Sequence, residues 1–268
     1  MQERDYVLGT DEAEIERLDL QHRVWREKAL AAWRRAGIRP GQIVLDVGAG
    51  PGCATVDLAG LVGAKGRVIA IERSERFVAA LEDRARRLGL VQVEARVQDV
   101  CEAEIDASAD AAWCRWVLSF VHDPARTVRH IADALRPGGV AIFHEYADYG
   151  TWRTMPPDPR VERFRAAAMK SWRDAGGEPD VALALPEMIE TAALELVEAR
   201  PLIDIIGPQD FAWRWPVAFM ASNAPRLAAM GYVGESEAAA MAHALEDAPP
   251  DTRMITPLVA ELIARKPR

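Results

Sequence analysis

The feature that most constrains this chain is the run Asp46-Val47-Gly48-Ala49-Gly50-Pro51-Gly52. It follows the apolar stretch Ile43-Val44-Leu45 and leads into a segment of helical character over about residues 53–62. A short apolar run of this kind suits a strand covered on both faces. Glycine has no Cβ, so the backbone here can turn tightly and come close to a ligand. A free GxG pattern is common, and its place between a strand and a helix is what gives this one meaning.

The segments that follow keep a strand–helix rhythm. Val68-Ile69-Ala70-Ile71 is a second apolar run. Ser74 is placed to cap a helix whose face is Phe77, Val78, Leu81, Ala85 and Leu88, with Gly89 as its stop. Val91-Gln92-Val93-Glu94-Ala95 alternates as a third strand, and residues 109–114 form a fourth. Asp123-Pro124 supplies an N-cap with proline at the first helical position. Val128, Ile131 and Leu135 then face one way, and Pro137-Gly138-Gly139 closes the helix before the fifth strand, Val140-Ala141-Ile142-Phe143. Strands alternating with helices of this length imply right-handed βαβ units and a mainly parallel sheet.

The flanks behave differently. Residues 10–36 predict one or two amphipathic helices, with Asp11 and Glu14 as a capping box and Ile15, Leu18, Val24 and Trp25 in the apolar stripe. Gly37 and Pro40-Gly41 end that segment. After Tyr146 the rhythm breaks. Residues 147–180 are rich in Pro, Gly, Trp and Arg and read as irregular. A helix near 186–193, a strand near 196–206, an irregular or helical stretch over 207–250 and a closing strand near 258–266 complete the chain. The expected organisation is a helical cap over 1–40 and a ligand-binding domain over 41–268. Lid insertions at about 147–180 and 207–250 would lie over the strand ends, where open α/β sheets bind ligands.

The 268 residues carry a net charge of −8. That balance argues against nucleic acid or an anionic membrane as partner, since both reward clustered Lys and Arg. Cys53, Cys101 and Cys114 show no paired spacing, so neither a zinc site nor a disulfide framework is expected. No cluster of Asp, Asn and His asks for magnesium, and no metal is expected. Gln2, Glu3, Arg4 and Asp5 do not open a signal peptide, and no apolar stretch approaches the roughly 18–20 residues of a spanning helix. A cytoplasmic protein is expected, monomeric or homodimeric.

Two acids extend the glycine signal. Glu72 ends the second strand about 20 residues past the last glycine, where an acid commonly takes ribose hydroxyls. Asp99 follows the third strand, where an acid can accept from an adenine amine. Three carboxylates at three successive strand ends converge on one crevice.

With these residues in place the chain resembles the class I S-adenosylmethionine (SAM)-dependent methyltransferases. Asp46, Gly48, Gly50 and Gly52 match the family's [D/E]xGxGxG motif, Glu72 its ribose acid and Asp99 its adenine-side acid. Leu135-Arg136-Pro137-Gly138-Gly139 matches the entry to its fifth strand, and the stretch from Trp116 to Pro124 resembles its segment after strand four. The resemblance implies an α/β, Rossmann-like seven-stranded sheet of order 3-2-1-4-5-7-6 with the last strand antiparallel. It implies S-adenosyl-L-methionine as cofactor and S-adenosyl-L-homocysteine as product. It also implies Tyr6 as a lid on the methionine end, with Arg73, Val100 and Arg115 beside the cofactor.

Methyl transfer from a sulfonium mainly needs alignment and exclusion of water, and some acceptors also need a base. Candidates lie at the ends of strands four and five: Arg115, His144 and Glu145. His122 reads as loop structure beside an N-cap. Arg17, Gln21 and Trp25 are candidates to face the same site from the first helix. Trp116, Tyr146, Trp152 and Trp213 are candidate acceptor contacts. Trp172, Trp215, Phe211, Phe219, Met220 and Met230 make both insertions aromatic and apolar, which favours a small apolar or aromatic acceptor. Two alternatives stand: a nicotinamide or flavin oxidoreductase, whose fingerprint wants Gly or Ala where Cys53 stands, and a SAM-fold protein that is non-catalytic or reused for another reaction such as a cyclisation.

Overall fold

The computed structural model describes residues 9–102 and 104–268. Tyr6 lies outside the described residues. The chain opens with helix α1 (Glu12–Ala36), followed by β1 (Ile43–Val47), α2 (Cys53–Val62), β2 (Arg67–Glu72), α3 (Glu75–Arg87), β3 (Val93–Val97), β4 (Ala109–Arg115), α4 (Pro124–Ala134) and β5 (Leu135–Asp148). Then come β6 (Arg153–Met155), α5 (Pro159–Asp174), α6 (Leu185–Thr191), β7 (Glu195–Leu202), β8 (Ile205–Ile206), α7 (Arg214–Ala229), α8 (Glu235–Ala242), β9 (Arg253–Ile255) and β10 (Leu258–Arg265).

Seven strands form one sheet in the order β3-β2-β1-β4-β5-β10-β7. β1 to β5 run parallel, and β10 is antiparallel to both of its neighbours. This is the Rossmann-like order expected from the sequence. Alternation along each strand sorts side chains to two faces. Leu45, Val47, Ile69, Ile71 and Phe143 pack with α4 and α6 on one face. Val44, Val68, Trp113 and Ile142 pack with α1 and α2 on the other. There Trp33 of α1 meets Trp113 of β4 edge to face at 5.2 Å, a favoured aromatic geometry.

The residues after β5 build a second core of their own. α5, α7 and α8 enclose Trp152, Phe164, Trp172, Trp213, Phe219 and Met220. A small antiparallel sheet, β6-β9-β8, supports it. The stretch 147–180 is therefore largely helical rather than irregular. Asp158 caps α5 by accepting the Arg160 N–H, and Pro159 stands at its first position. β3 also begins two residues later than the sequence pattern places it.

Asp11 caps α1 as expected, its carboxylate accepting the Glu14 N–H at 3.0 Å. The reciprocal half of the predicted box is missing, because the Glu14 carboxylate turns instead to the Arg17 guanidinium. Asp11→Ala is expected to cost about 1 kcal/mol. Asp11→Asn should keep most of the cap; urea unfolding of the two variants checks the difference.

Candidate active site

The glycine bend lies between the C-terminal end of β1 and the start of α2. Gly48 N–H and Ala49 N–H both donate to the Ile71 carbonyl, at 2.8 and 3.0 Å. Gly50 N–H donates to Glu72 Oε2 at 3.0 Å, and Ser74 N–H donates to Glu72 Oε1 at 2.9 Å. Gly48 has a φ of 67°, and a Cβ there would stand 2.2 Å from Val117 Cγ2. Gly50 has a φ of 54°, and a Cβ there would meet only Leu18 Cδ1 of α1, at 3.9 Å. Both positions favour glycine because other residues rarely adopt such φ values.

Three carboxylates stand around this bend. Asp46 is buried and accepts from Thr55 Oγ1 at 2.6 Å; burial pushes its carboxyl up to about 6. Burial also raises Glu72, against the pull of its backbone donors and of the exposed Arg73 beside it. Asp99 accepts the Cys101 N–H at 2.9 Å, and Val100 is buried next to it. Asp46, Glu72 and Asp99 lie at or just past the ends of β1, β2 and β3.

Arg115 ends β4 on the face covered by α1. Burial pulls its guanidinium down to about 10, so it stays charged at neutral pH. Asp46, Cys53, Asp57 and Tyr146 surround it at longer range. Its Nη2 donates to His22 Nδ1 at 3.0 Å, and its Nη1 is buried and meets no hydrogen-bond partner among the described residues. The guanidinium carbon lies 5.1 Å from the Trp116 ring centroid. A buried donor without an acceptor is costly, which makes this N–H a natural place for an anionic ligand atom.

Trp116 follows with a φ of 52°. Such a value in a bulky residue is strained and persists only where the surroundings impose it. Glu145 supplies the constraint. Its Oε1 accepts the Val117 and Leu118 N–H groups at 2.8 and 2.9 Å, and its Oε2 accepts from Ser119 Oγ at 3.0 Å. Trp116, Phe120, Tyr146, Tyr149, Trp172, Trp215 and Phe219 then wall a cavity of about 30 Å3, whose other lining side chains are Arg17 and Gln21. Trp116 stacks on Tyr146 at 5.4 Å and on Trp215 at 5.9 Å. Gln21 Oε1 accepts from both Arg17 Nη1 and Trp215 Nε1.

The geometry corrects four sequence expectations. His144 is fully buried, with Nε2 2.9 Å from Glu261 Oε2 and its ring edge-on to Trp113 at 4.6 Å. It sits beneath α1, two residues deeper along β5 than Tyr146. Glu145 points to the opposite face and holds the turn after β4. Neither lines the cavity, so neither is placed to take a proton from an acceptor there. Trp152 donates to Met254 Sδ and Trp213 donates to the Leu245 carbonyl; both belong to the lid core and not to the cavity wall. Sequence reasoning missed Phe120, Tyr149, His22 and Asp57. The two rings carried only their aromatic character as a signal, and the polar pair, 35 positions apart, carried none.

A Rossmann-like nucleotide-cofactor domain is what the sheet order, the glycine bend and the acids at successive strand ends define. The methyltransferase-domain family profile matches residues 45–143. The 2-phytyl-1,4-naphtoquinone methyltransferase of Synechococcus elongatus is 30% identical over 154 residues, 56% of this chain and 61% of that protein. A SAM-dependent methyltransferase structure from Aquifex aeolicus aligns with a TM-score of 0.51 at 22% identity, over 70% of this chain and 91% of that one. A Bacillus halodurans C-125 protein described as a methyltransferase aligns at 0.61 and 17% identity, over 89% and 98%. These two likenesses speak for the fold. The chain spans 36% to 61% of the length of the first curated relatives it matches. Over residues 45–143 the chain therefore matches a methyltransferase domain, and its sheet has the Rossmann-like order. Among the described residues, no helix is long and apolar enough to cross a membrane.

Burial pushes the Glu145 carboxyl from its ordinary 4.5 up to about 7, against the pull of its backbone and hydroxyl donors. The folded protein then holds this proton over a range in which the unfolded chain has released it. Its contribution to stability falls as pH rises from 4.5 to about 7 and is level above that. Glu145→Gln is expected to flatten this part of the stability–pH profile, measured by urea unfolding across the window. Glu145→Ala leaves buried backbone donors unmet and should cost about 2–4 kcal/mol.

Proposed function

We propose that this protein transfers a methyl group from SAM to a small apolar or aromatic acceptor seated in the cavity beside Trp116. The observation that carries the reading is the shared wall between the two sites. Arg115, with its free Nη1–H, rests on the ring of Trp116, and the other side of that residue's surroundings is the aromatic cavity. In this reading Arg115 holds the carboxylate of the cofactor's methionine, the glycine bend lies along it, Glu72 takes the ribose hydroxyls, and Asp99 with Val100 meets the adenine. SAM supplies an activated methyl group on a sulfonium. The carbon–sulfur bond breaks as the acceptor–carbon bond forms, with S-adenosyl-L-homocysteine as the second product.

The protein's own part is alignment and exclusion of water. Stacked rings give a planar acceptor large contact area, and Arg17 and Gln21 provide polar contacts at one end of the cavity. The quinone-type substrate in the name of the Synechococcus relative agrees with a planar aromatic acceptor. The same reading treats residues 1–40 as a cap and about 147–180 and 207–250 as lid insertions on a domain of 41–268. The acceptor is a small molecule, and the methylated atom, whether O, N or C, is read from the product.

The direct test is to incubate the purified protein with methyl-labelled SAM and a panel of planar aromatic and aliphatic acceptors. Labelled product and S-adenosylhomocysteine are expected with aromatic acceptors; SAM that binds tightly but is never consumed by any acceptor would favour the non-catalytic alternative. Glu72→Ala is expected to weaken S-adenosylhomocysteine by about 1–3 kcal/mol in calorimetry. Trp215→Ala should raise the acceptor KM by about tenfold while leaving cofactor affinity within about twofold, as for a lost aromatic contact.

A further inference from the structure

We propose that His22 is a positioning residue for the cofactor: as the neutral Nε2–H tautomer it holds the Arg115 guanidinium in line for a carboxylate. The proposal rests on the reading of Arg115 given above, and its test separates the two.

The argument starts from donors and acceptors. A guanidinium only donates, so the 3.0 Å contact from Arg115 Nη2 requires a lone pair on His22 Nδ1. The proton of the neutral ring must then sit on Nε2. There it donates to Asp57 Oδ2, also 3.0 Å away. Asp57 is itself held by Arg26 Nε and Nη2, at 2.7 and 2.9 Å. The chain Arg26–Asp57–His22–Arg115 thus runs from the surface of α1, through α2, to the end of β4, and His22 is buried within it. With Nη2 committed to His22, Nη1, which has no partner among the described residues, remains available for a ligand.

The same geometry makes the device sensitive to acid. A proton on Nδ1 would face the Arg115 donor and destroy the contact, leaving two cations side by side. The charged and titratable groups around His22 are Asp19 and Arg26 on α1, Asp57 and Cys53 on α2, and Arg115 on β4, with Arg84 of α3 paired to Asp19. Burial and the two arginines favour the neutral ring, while the two aspartates oppose it; the balance lies below the ordinary imidazole value. At neutral pH the latch is formed.

His22→Asn separates the contributions, because its amide oxygen can accept from Arg115 but does not titrate. Two measurements use S-adenosylhomocysteine and the ligand-free protein. In calorimetry, wild type should lose affinity as pH falls from about 7.5 to 5, by at least about threefold more than His22→Asn loses over the same range. His22→Ala should bind about tenfold more weakly than wild type at about pH 7.5 and about as well as wild type at about pH 5, with its melting temperature recorded to show that it is folded. In the ligand-free protein, nitrogen NMR should show Nε2 protonated and Nδ1 bare. Equal acid losses in wild type and His22→Asn, or a proton on Nδ1 at neutral pH, would overturn the positioning role. Arg115→Met that binds S-adenosylhomocysteine like wild type would instead overturn the placement of the carboxylate, and with it the reading on which this one rests.

Discussion

Three consecutive N–H groups of the glycine bend are tied to the last two residues of β2: two to the Ile71 carbonyl and one to the Glu72 carboxylate. The shape of the bend is therefore a property of the β1–β2 pairing, in which Val47 lies opposite Ile71. Glu72 is partly buried to do this, and the desolvation of its carboxylate is tolerated because backbone donors meet it. The far side of the bend fits against Val117 so closely that no Cβ has room at Gly48. Val117 is in turn fixed through its N–H by Glu145. Two carboxylates, the partly buried Glu72 and the buried Glu145, thus lock the glycine bend to the turn that presents Trp116. The acceptor cavity inherits its position from the sheet through that contact.

Helix α1 obeys a different logic in its two halves. Its C-terminal half buries Ala29, Leu30, Ala32, Trp33 and Ala36 against the sheet, where Val44, Trp113 and Ile142 offer an apolar surface. Its N-terminal half buries Glu14, Arg17 and His22. That half extends past the strand ends, where the surfaces it meets are the glycine bend, the lid and the end of β4. Burying an ion pair such as Glu14–Arg17 adds little net stability, because desolvation offsets most of the attraction. What it does provide is a fixed direction for Arg17 and, through Gln21, for the Trp215 indole. The apolar half supplies the anchorage, and the polar half is free to be specific.

Much of this was legible in the chain. Strand–helix alternation, the acid-glycine run and the caps Ser74 and Asp123-Pro124 are local signals, and local signals place β1 to β5 and α2 to α4. The lid was harder to read. The Asp158-Pro159 pair that starts α5 is the same signal as Asp123-Pro124, and Val161, Phe164, Ala167, Ala168 and Trp172 follow it at helical spacing, but the Pro- and Gly-rich residues flanking them set the character of the stretch. β6, β8 and β9 are two or three residues each, too short for any period to show. β3 slipped by two because the alternation of Val91, Val93, Ala95 and Val97 begins two residues ahead of the strand. At the site, composition announced an aromatic lid but not which rings face inward; Trp152 and Trp213 turn to the lid core, while Trp172, Trp215 and Phe219 turn to the cavity. His144 and Glu145 have the right chemistry for proton transfer, yet strand alternation sends them to opposite faces and packing closes over both.

The cavity lies at a junction, and that has a consequence for how specificity is divided. Trp116 and Tyr146 come from the sheet, Arg17 and Gln21 from α1, Trp172 from α5, and Trp215 and Phe219 from α7. With about 30 Å3 between them, the rings largely fill the space with contacts to one another. On the proposed function, an acceptor would enter by exchanging ring–ring contacts for ring–ligand contacts, so hydrophobic burial would change little and fit would decide the balance. The elements that would yield are α5 and α7, which pack into the second core together with Tyr146 of β5 and Val259 of β10. Movement there leaves the β1–β2 register and the glycine bend undisturbed. On the proposed function, acceptor choice would thereby lie with α5 and α7 and cofactor grip with the sheet, the two meeting at Arg115 and Trp116.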